Sequence, residues 1–335
     1  MHLGRLNTCM RAAILAGAVA IGAGNAGAQP RPAGTAGFPE RPVKMIVPAP
    51  AGSGPDALAR LLAQKLADTW GQPVVIENVL GAGGNLGHER GAKAAADGHT
   101  MLMGLNGPMS VSGSLYEKLP FDPVRDLAPV TLLMKGPNIL VVNPSVAVGN
   151  LQELIAFTKA NPDKLRYGHP GAGTSLHLAA EQLNLMAGIR IPGIPYKSSA
   201  QMTVDILGNH IELIFHNVPV VLPHIRSGAL RAIAITSLKR NPAAPEIPTF
   251  AEAGLTGYEI TSWQAMYVPA VTPRQIVSKM NADIAKALAE PEVRQWMAAN
   301  ATVPGGGSSA DLAAFQAAET LKWKNLISAR NIRVE

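Results

Sequence analysis

Cysteine is almost missing from this 335-residue chain, which has only Cys9. Disulfides therefore cannot staple the fold, cysteine-based catalysis is excluded downstream of that residue, and stability must come from buried apolar cores. Aromatic residues are scarce at 4% and charged residues at 16%, with no run of Lys or Arg and no basic–aromatic interleaving. Nucleic-acid binding has no footing in such a pattern. Catalytic signatures are missing too. There is no G-x-S-x-G elbow, and the loop before Asp56 is neither a P-loop nor a G-x-G-x-x-G fingerprint. No H-x-x-x-H with an acidic partner on the same helix face appears, and His169 and His177 lie eight apart across a loop, which is not metal-ligand spacing. The expectation is a protein with no catalytic residue, no metal and no cofactor.

Residues 1–28 have the layout of a secretory signal peptide. Arg5 and Arg11 supply a positive start, Ala12 to Ala23 a short apolar stretch, and Ala26-Gly27-Ala28 a small-residue cleavage site. The apolar stretch is too short and too rich in Ala and Gly to span a membrane. A lipid anchor would need a Cys just after that stretch, and Cys9 precedes it. Export is expected, with cleavage near Ala28 and a flexible Pro/Gly-rich lead-in to Pro39.

The chain then writes strand, small-residue loop and helix. Val43 to Val47 is an apolar β-type run, followed by a loop of Pro, Ala, Gly and Ser, and then Asp56. Leu58, Leu61, Leu62 and Leu66 follow at helical spacing, with Asp56 where an N-cap carboxylate would sit. Such a unit presents bare amides and a positive helix end, which favour an anion. The grammar repeats at Val74 to Asn78 with the Gly81–Gly87 loop, and at Thr100 to Met103 ending on Gly104 to Gly107. Strands alternating with helices imply a largely parallel α/β sheet, with ligands met at the carboxyl ends of the strands.

Two extended runs, Ala128 to Met134 and Asn138 to Val142, lead through Asn143-Pro144-Ser145 into a second unit of the same design. There His169 to Ser175 is a small-residue loop, and Thr174 or Ser175 caps the helix after it. Ser198 and Ser199 open another helix, and the strand Ile211 to Phe215 ends at His216-Asn217. A strand from Glu259 to Val268 and three helices, roughly 273–289, 291–299 and 309–329, finish the chain. Asn106, Thr174, Ser175, Ser198 and Asn217 together describe a polar, uncharged pocket, although each alone suits turn or cap duty. His216, at a strand end, suits ligand contact or a satisfied structural histidine.

The ordered landmarks resemble the Bug (TctC-like) family of periplasmic solute-binding receptors of tripartite tricarboxylate transporters. They include Gly52-Ser53-Gly54-Pro55-Asp56, Gly81-Ala82-Gly83-Gly84-Asn85, Asp97-Gly98-His99-Thr100 and Leu119-Pro120-Phe121-Asp122-Pro123. Later ones are Gly173-Thr174-Ser175-Leu176-His177, Pro195-Tyr196-Lys197, Pro248 to Gly254 and Thr261-Ser262-Trp263. The resemblance implies an α/β, two-lobed periplasmic-binding-protein fold (Venus flytrap, type II) with a cleft between lobes. Residues 38–142 plus 264–335 would form lobe 1 and residues 143–263 lobe 2.

It also implies a site and partners. Ala49, Ala51, Gly52, Ser53 and Asp56, with Asn106 and Gly107, would form one wall. Gly171, Gly173, Thr174, Ser175, Ser198, His216 and Asn217 would form the other. The ligand would be a small carboxylate, handed by a monomer to membrane permease subunits. Two departures narrow it: Pro55 stands where the family usually has Thr, and His216-Asn217 where Asp-Asn is common. An Asp there would face a ligand ammonium, so a dicarboxylate, hydroxy acid or aromatic acid without an amino group is expected. The alternatives are a periplasmic enzyme using His216 as acid/base, or a ligand-loaded partner of a sensor kinase.

Overall fold

The computed structural model describes residues 37–333. The signal-peptide assignment, residues 1–28, lies outside the described residues. In chain order the elements of the first part are β1 (Val43–Val47), α1 (Gly54–Trp70), β2 (Val74–Asn78), α2 (Asn85–Ala92), β3 (Thr100–Leu105), α3 (Ser112–Leu115) and β4 (Leu127–Val142). The second part runs α4 (Leu151–Ala160), β5 (Tyr167–His169), α5 (Ser175–Ala187), β6 (Gly193–Pro195), α6 (Ser199–Leu207), β7 (Leu213–Asn217), α7 (Val218–Arg226) and β8 (Arg231–Ile235). The chain closes with β9 (Thr261–Pro269), α8 (Arg274–Ala289), α9 (Pro291–Ala299), β10 (Val303–Gly306) and α10 (Ser309–Arg330).

The molecule is a two-lobed α/β fold whose sheets share one strand. In the first lobe β1 pairs in parallel with β2 and β3, and β9 lies antiparallel between β3 and β4. The first part of β4, up to Pro137, pairs with β9, and its Val142 end pairs instead with β7 and β8. The two runs expected at 128–134 and 138–142 are thus one 16-residue strand. Gly136-Pro137 is not a break. It marks the place where β4 changes partners, which suits a proline that has no N–H to give a ladder.

Three apolar clusters hold this frame. One packs α1, α8 and α9 on the first sheet through Leu58, Leu62, Leu66, Ile276 and Met280, all at most 1% exposed. Each such side chain contributes about 1.5–3 kcal/mol on burial. A smaller cluster on the opposite face joins Phe121, Trp263, Tyr267 and Leu312. The largest surrounds the second sheet, from Ile139 to Val142 and Leu213 to Phe215. Helix α10 starts in the second of these clusters with Leu312 and ends in the third with Trp323, Leu326 and Ile327. Among the described residues no helix is long and apolar enough to cross a membrane.

Candidate functional site

A cavity of about 460 Å³ lies where the strand ends and helix starts of the two lobes meet. From the first lobe come Gly54 and Pro55 at the start of α1, and Leu105 and Asn106 at the end of β3. From the second come Thr174 and Ser175 at the start of α5, and Asn217 and Pro219 at the start of α7. A second chamber of about 270 Å³ shares Leu105, Asn106, Thr174 and Ser175 with it and adds Gly107 and Gly173. Neither chamber is lined by a charged side chain.

Three helices therefore point their N-termini at one space. Helix α1 has no side-chain cap, because the Ser53 hydroxyl donates to the Pro50 carbonyl (2.6 Å). Helix α7 also lacks a side-chain cap and begins with Val218-Pro219. Helix α5 is capped by the Thr174 hydroxyl, which accepts from the His177 amide (3.3 Å). Each helix start has orphan amides and the positive end of a macrodipole.

Sequence expectation and placement diverge in instructive ways. Asn106, Gly107, Gly173, Thr174, Ser175 and Asn217 all line the chambers. From the first loop Gly54 and Pro55 are the lining residues; Ala49 is buried beneath it, Ala51 and Gly52 are exposed, and Ser53 is half-buried. Ser53, not Asp56, is the N-cap residue. Asp56 is 2% exposed, and its carboxylate accepts from the Gly52 amide (2.8 Å), the Asn78 amide group (2.9 Å) and Arg60 through Nε and Nη2 (2.9 and 3.0 Å). Arg60 above all, helped by Asn78 and the Gly52 amide against the effect of burial, holds its pKa at about 2. Gly171 sits between the lining residues Pro170 and Ala172, with its amide donated to His169 Nδ1 (3.3 Å). Ser198 is exposed and caps α6 by accepting from the Gln201 amide (3.2 Å). His216 is 3% exposed and stands behind Asn217, whose amide it accepts at Nδ1 (2.8 Å). Burial pushes His216 down to about 4.

Strand β9 supplies residues that local sequence reading does not reveal. Gln264 stands directly opposite Leu105 of β3 and Met134 of β4, so the three share one face and form a row on the cavity wall. Trp263 beside it is 1% exposed and lines the cavity as well. Among the described residues, Asn106 Nδ2, Trp263 Nε1 and Gln264 Oε1 are buried without a hydrogen-bond partner. Burying such groups unpaired costs about 1–3 kcal/mol each, which a ligand bonding to them would recover. The Thr261-Ser262-Trp263 landmark was the available signal, but an apolar strand pattern does not say which strands will flank it.

Chemically, the cavity offers neutral donors, an amide acceptor and helix dipoles, and no lining side chain that transfers protons near neutral pH. Among the described residues, no group of three or more His, Cys, Asp or Glu is placed to hold a metal ion.

The arrangement has counterparts. BugT of Bordetella pertussis is 38% identical over 291 residues, covering 87% of this chain and 89% of its own. The solved structure described as R. palustris Rpa4515 with adipate is 34% identical, with a TM-score of 0.78, covering 89% of this chain and all of that one. MatC from Rhodopseudomonas palustris with bound malate is 30% identical, with a TM-score of 0.74, covering 87% and 100%. The family profile described as "Tripartite tricarboxylate transporter family receptor" matches residues 58–332. With this match over most of its length and relatives above 30% identity across most of theirs, the chain belongs to the tripartite tricarboxylate transporter receptor family.

Proposed function

We propose that this protein is an exported, monomeric periplasmic receptor that captures a small carboxylate without an amino group. The class comprises dicarboxylates, hydroxy acids and aromatic acids, and the recipient is the membrane permease of a tripartite-type transporter. The observation that carries the reading is the convergence of three helix N-termini, with the Asn106 and Trp263 donors, on a cavity lined by no charged side chain. An anion is favoured there by dipoles and amides alone. A ligand ammonium would face the same positive ends with no carboxylate to pair with, and would lose its hydration uncompensated. Relatives with adipate and with malate support the choice of a dicarboxylate.

Capture proceeds by closure of the lobes, with contacts from both walls favouring the closed state. The reading calls for no cofactor and no turnover, and no His, Cys, Asp, Glu, Lys or Arg is among the lining residues. Mass spectrometry of the co-purifying small molecule identifies the ligand. A calorimetric screen then compares malate, adipate and benzoate with aspartate and glutamate. The expected result is micromolar or tighter binding of at least one of the first three. Tight binding of aspartate or glutamate alone would overturn the proposal.

A further inference from the structure

Four imidazoles stand behind the walls of the cleft, and each accepts a backbone amide of a wall. His88 Nε2 accepts from Leu105 (3.0 Å) while its Nδ1 donates to the Gly84 carbonyl (2.8 Å). His169 Nδ1 accepts from Gly171 (3.3 Å), His177 Nδ1 from Gly173 (3.2 Å) and His216 Nδ1 from Asn217 (2.8 Å). All four rings are at most 8% exposed. Leu105, Gly173 and Asn217 line the chambers, and Gly171 lies between two residues that do. The histidines come from four separate elements, α2, β5, α5 and β7; three of the bonds close within four residues of sequence and the His88–Leu105 bond spans 17. A backbone N–H can donate only to a ring nitrogen that bears no proton, which restricts each imidazole to one neutral tautomer.

We infer that His88, His169, His177 and His216 are positioning residues of the binding cleft, holding its walls in the ligand-ready geometry only while their rings are neutral, and that ligand capture is therefore acid-labile. This rests on the carboxylate-receptor reading above for its functional consequence, but not for the ring–amide bonds themselves. Protonation would turn each acceptor into a second donor facing the amide, and the wall segment would have to move away.

The surroundings set the direction. His88 is stacked on Phe121 (5.8 Å) and burial pushes it down to about 4, with only the Gly84 carbonyl opposing. His216 is lowered by burial with no charged group acting on it. His169 and His177 lie 4.4 Å apart, centroid to centroid, with the Tyr167 ring 5.7 and 6.3 Å away. Glu181, which accepts from the Tyr167 hydroxyl and from Arg330 Nε (2.7 Å each), pulls both histidines upward, and burial outweighs it. A ring released into water titrates near 6.5. For His88, His177 and His216 the wall-holding contribution is thus intact while the rings are neutral and is lost as pH falls through about 4, at up to about tenfold in affinity per further pH unit per ring.

Two measurements test this on the mature protein. In ligand-free protein with 15N-labelled histidine, NMR follows the ring nitrogens and the amides of Leu105, Gly171, Gly173 and Asn217 from pH 7.5 to 4. The His88, His177 and His216 rings are expected to titrate below about pH 5 and the His169 ring below the ordinary imidazole value, with these amides shifting in concert; titration near 6.5, or amides that do not follow, would overturn the assignment. Calorimetry with malate and adipate as probes then compares wild type with His177→Asn and His216→Asn, whose Oδ1 accepts an amide but does not titrate. Ligand protonation is common to all three, so the difference isolates the rings. Each variant should match wild type within about threefold at pH 7.5, and its affinity relative to wild type should rise about fourfold between pH 7.5 and pH 3.5, half a unit below a ring pKa of about 4, whereas His177→Leu should lose at least tenfold at pH 7.5. Superimposable pH profiles of wild type and the Asn variants would sink the inference. If wild type binds no carboxylate at all, the receptor reading fails while the NMR titration still decides the ring–amide assignment.

Discussion

Replacing Asp56 by Asn removes one charge from the base of the first cleft loop without changing its shape. In the native protein the carboxylate gathers four donors: the Gly52 amide, Asn78 Nδ2 and two Arg60 nitrogens, all within 3.0 Å. These contacts lower its pKa from 3.8 to about 2, chiefly through the bond to Arg60. A shift of that size corresponds to at most about 2.5 kcal/mol. The Arg60 side chain is 54% exposed, so solvent screening reduces the expectation to about 1–2 kcal/mol. Because the folded pKa lies below the unfolded one, this stability is fully present above about pH 4 and is lost as pH falls toward 2. Urea unfolding followed by circular dichroism should show Asp56→Asn less stable by about 1–2 kcal/mol at pH 7, with the difference shrinking on acidification to pH 2. Equal stability of the two proteins at pH 7, or a gap that does not depend on pH, would refute the reasoning.

Asn106→Asp should cut malate or adipate affinity by roughly a thousandfold at pH 7.5, since a carboxylate about 4 Å from another costs about 4 kcal/mol near a protein surface; unchanged calorimetric affinity would take Asn106 out of the site. Gly173→Ala should weaken binding far more than Gly52→Ala. Both positions have positive φ (+76° and +78°), which costs about 1–2 kcal/mol with a side chain, but only at Gly173 would the new Cβ meet another side chain, the Cδ1 of Leu115. Equal affinities of the two variants would show that this wall does not shape the cleft.

Much of this protein is written locally. The run Val43 to Val47, the small-residue loop and the helical spacing from Leu58 to Leu66 are read directly, because each depends on neighbours within one or two turns. The same holds for a cap of α5 at Thr174 or Ser175, which the structure resolves to Thr174, and for His216-Asn217 at the end of β7. Six of the residues expected in the site, from Asn106 to Asn217, line the chambers because strand ends and helix starts are legible in sequence and ligands gather there.

Only the tertiary structure decided the rest. Asp56 reads as a cap, yet Arg60 and Asn78, one of them 22 residues away, turn its carboxylate inward. Gln264 becomes a cavity residue because β9 inserts between β3 and β4, pairing it with Leu105 and Met134 more than 120 residues earlier. The four histidines are scattered in sequence; His169, His177 and His216 accept amides within four residues of themselves, His88 accepts one 17 residues away, and it is the fold that brings the four bonds to the walls of one cleft. Local spacing carries the period of a helix or strand and the chemistry of a turn. Which side chains face one another across the cleft depends on pairings between distant segments, and the burial that lowers a histidine's pKa exists only once those segments have met.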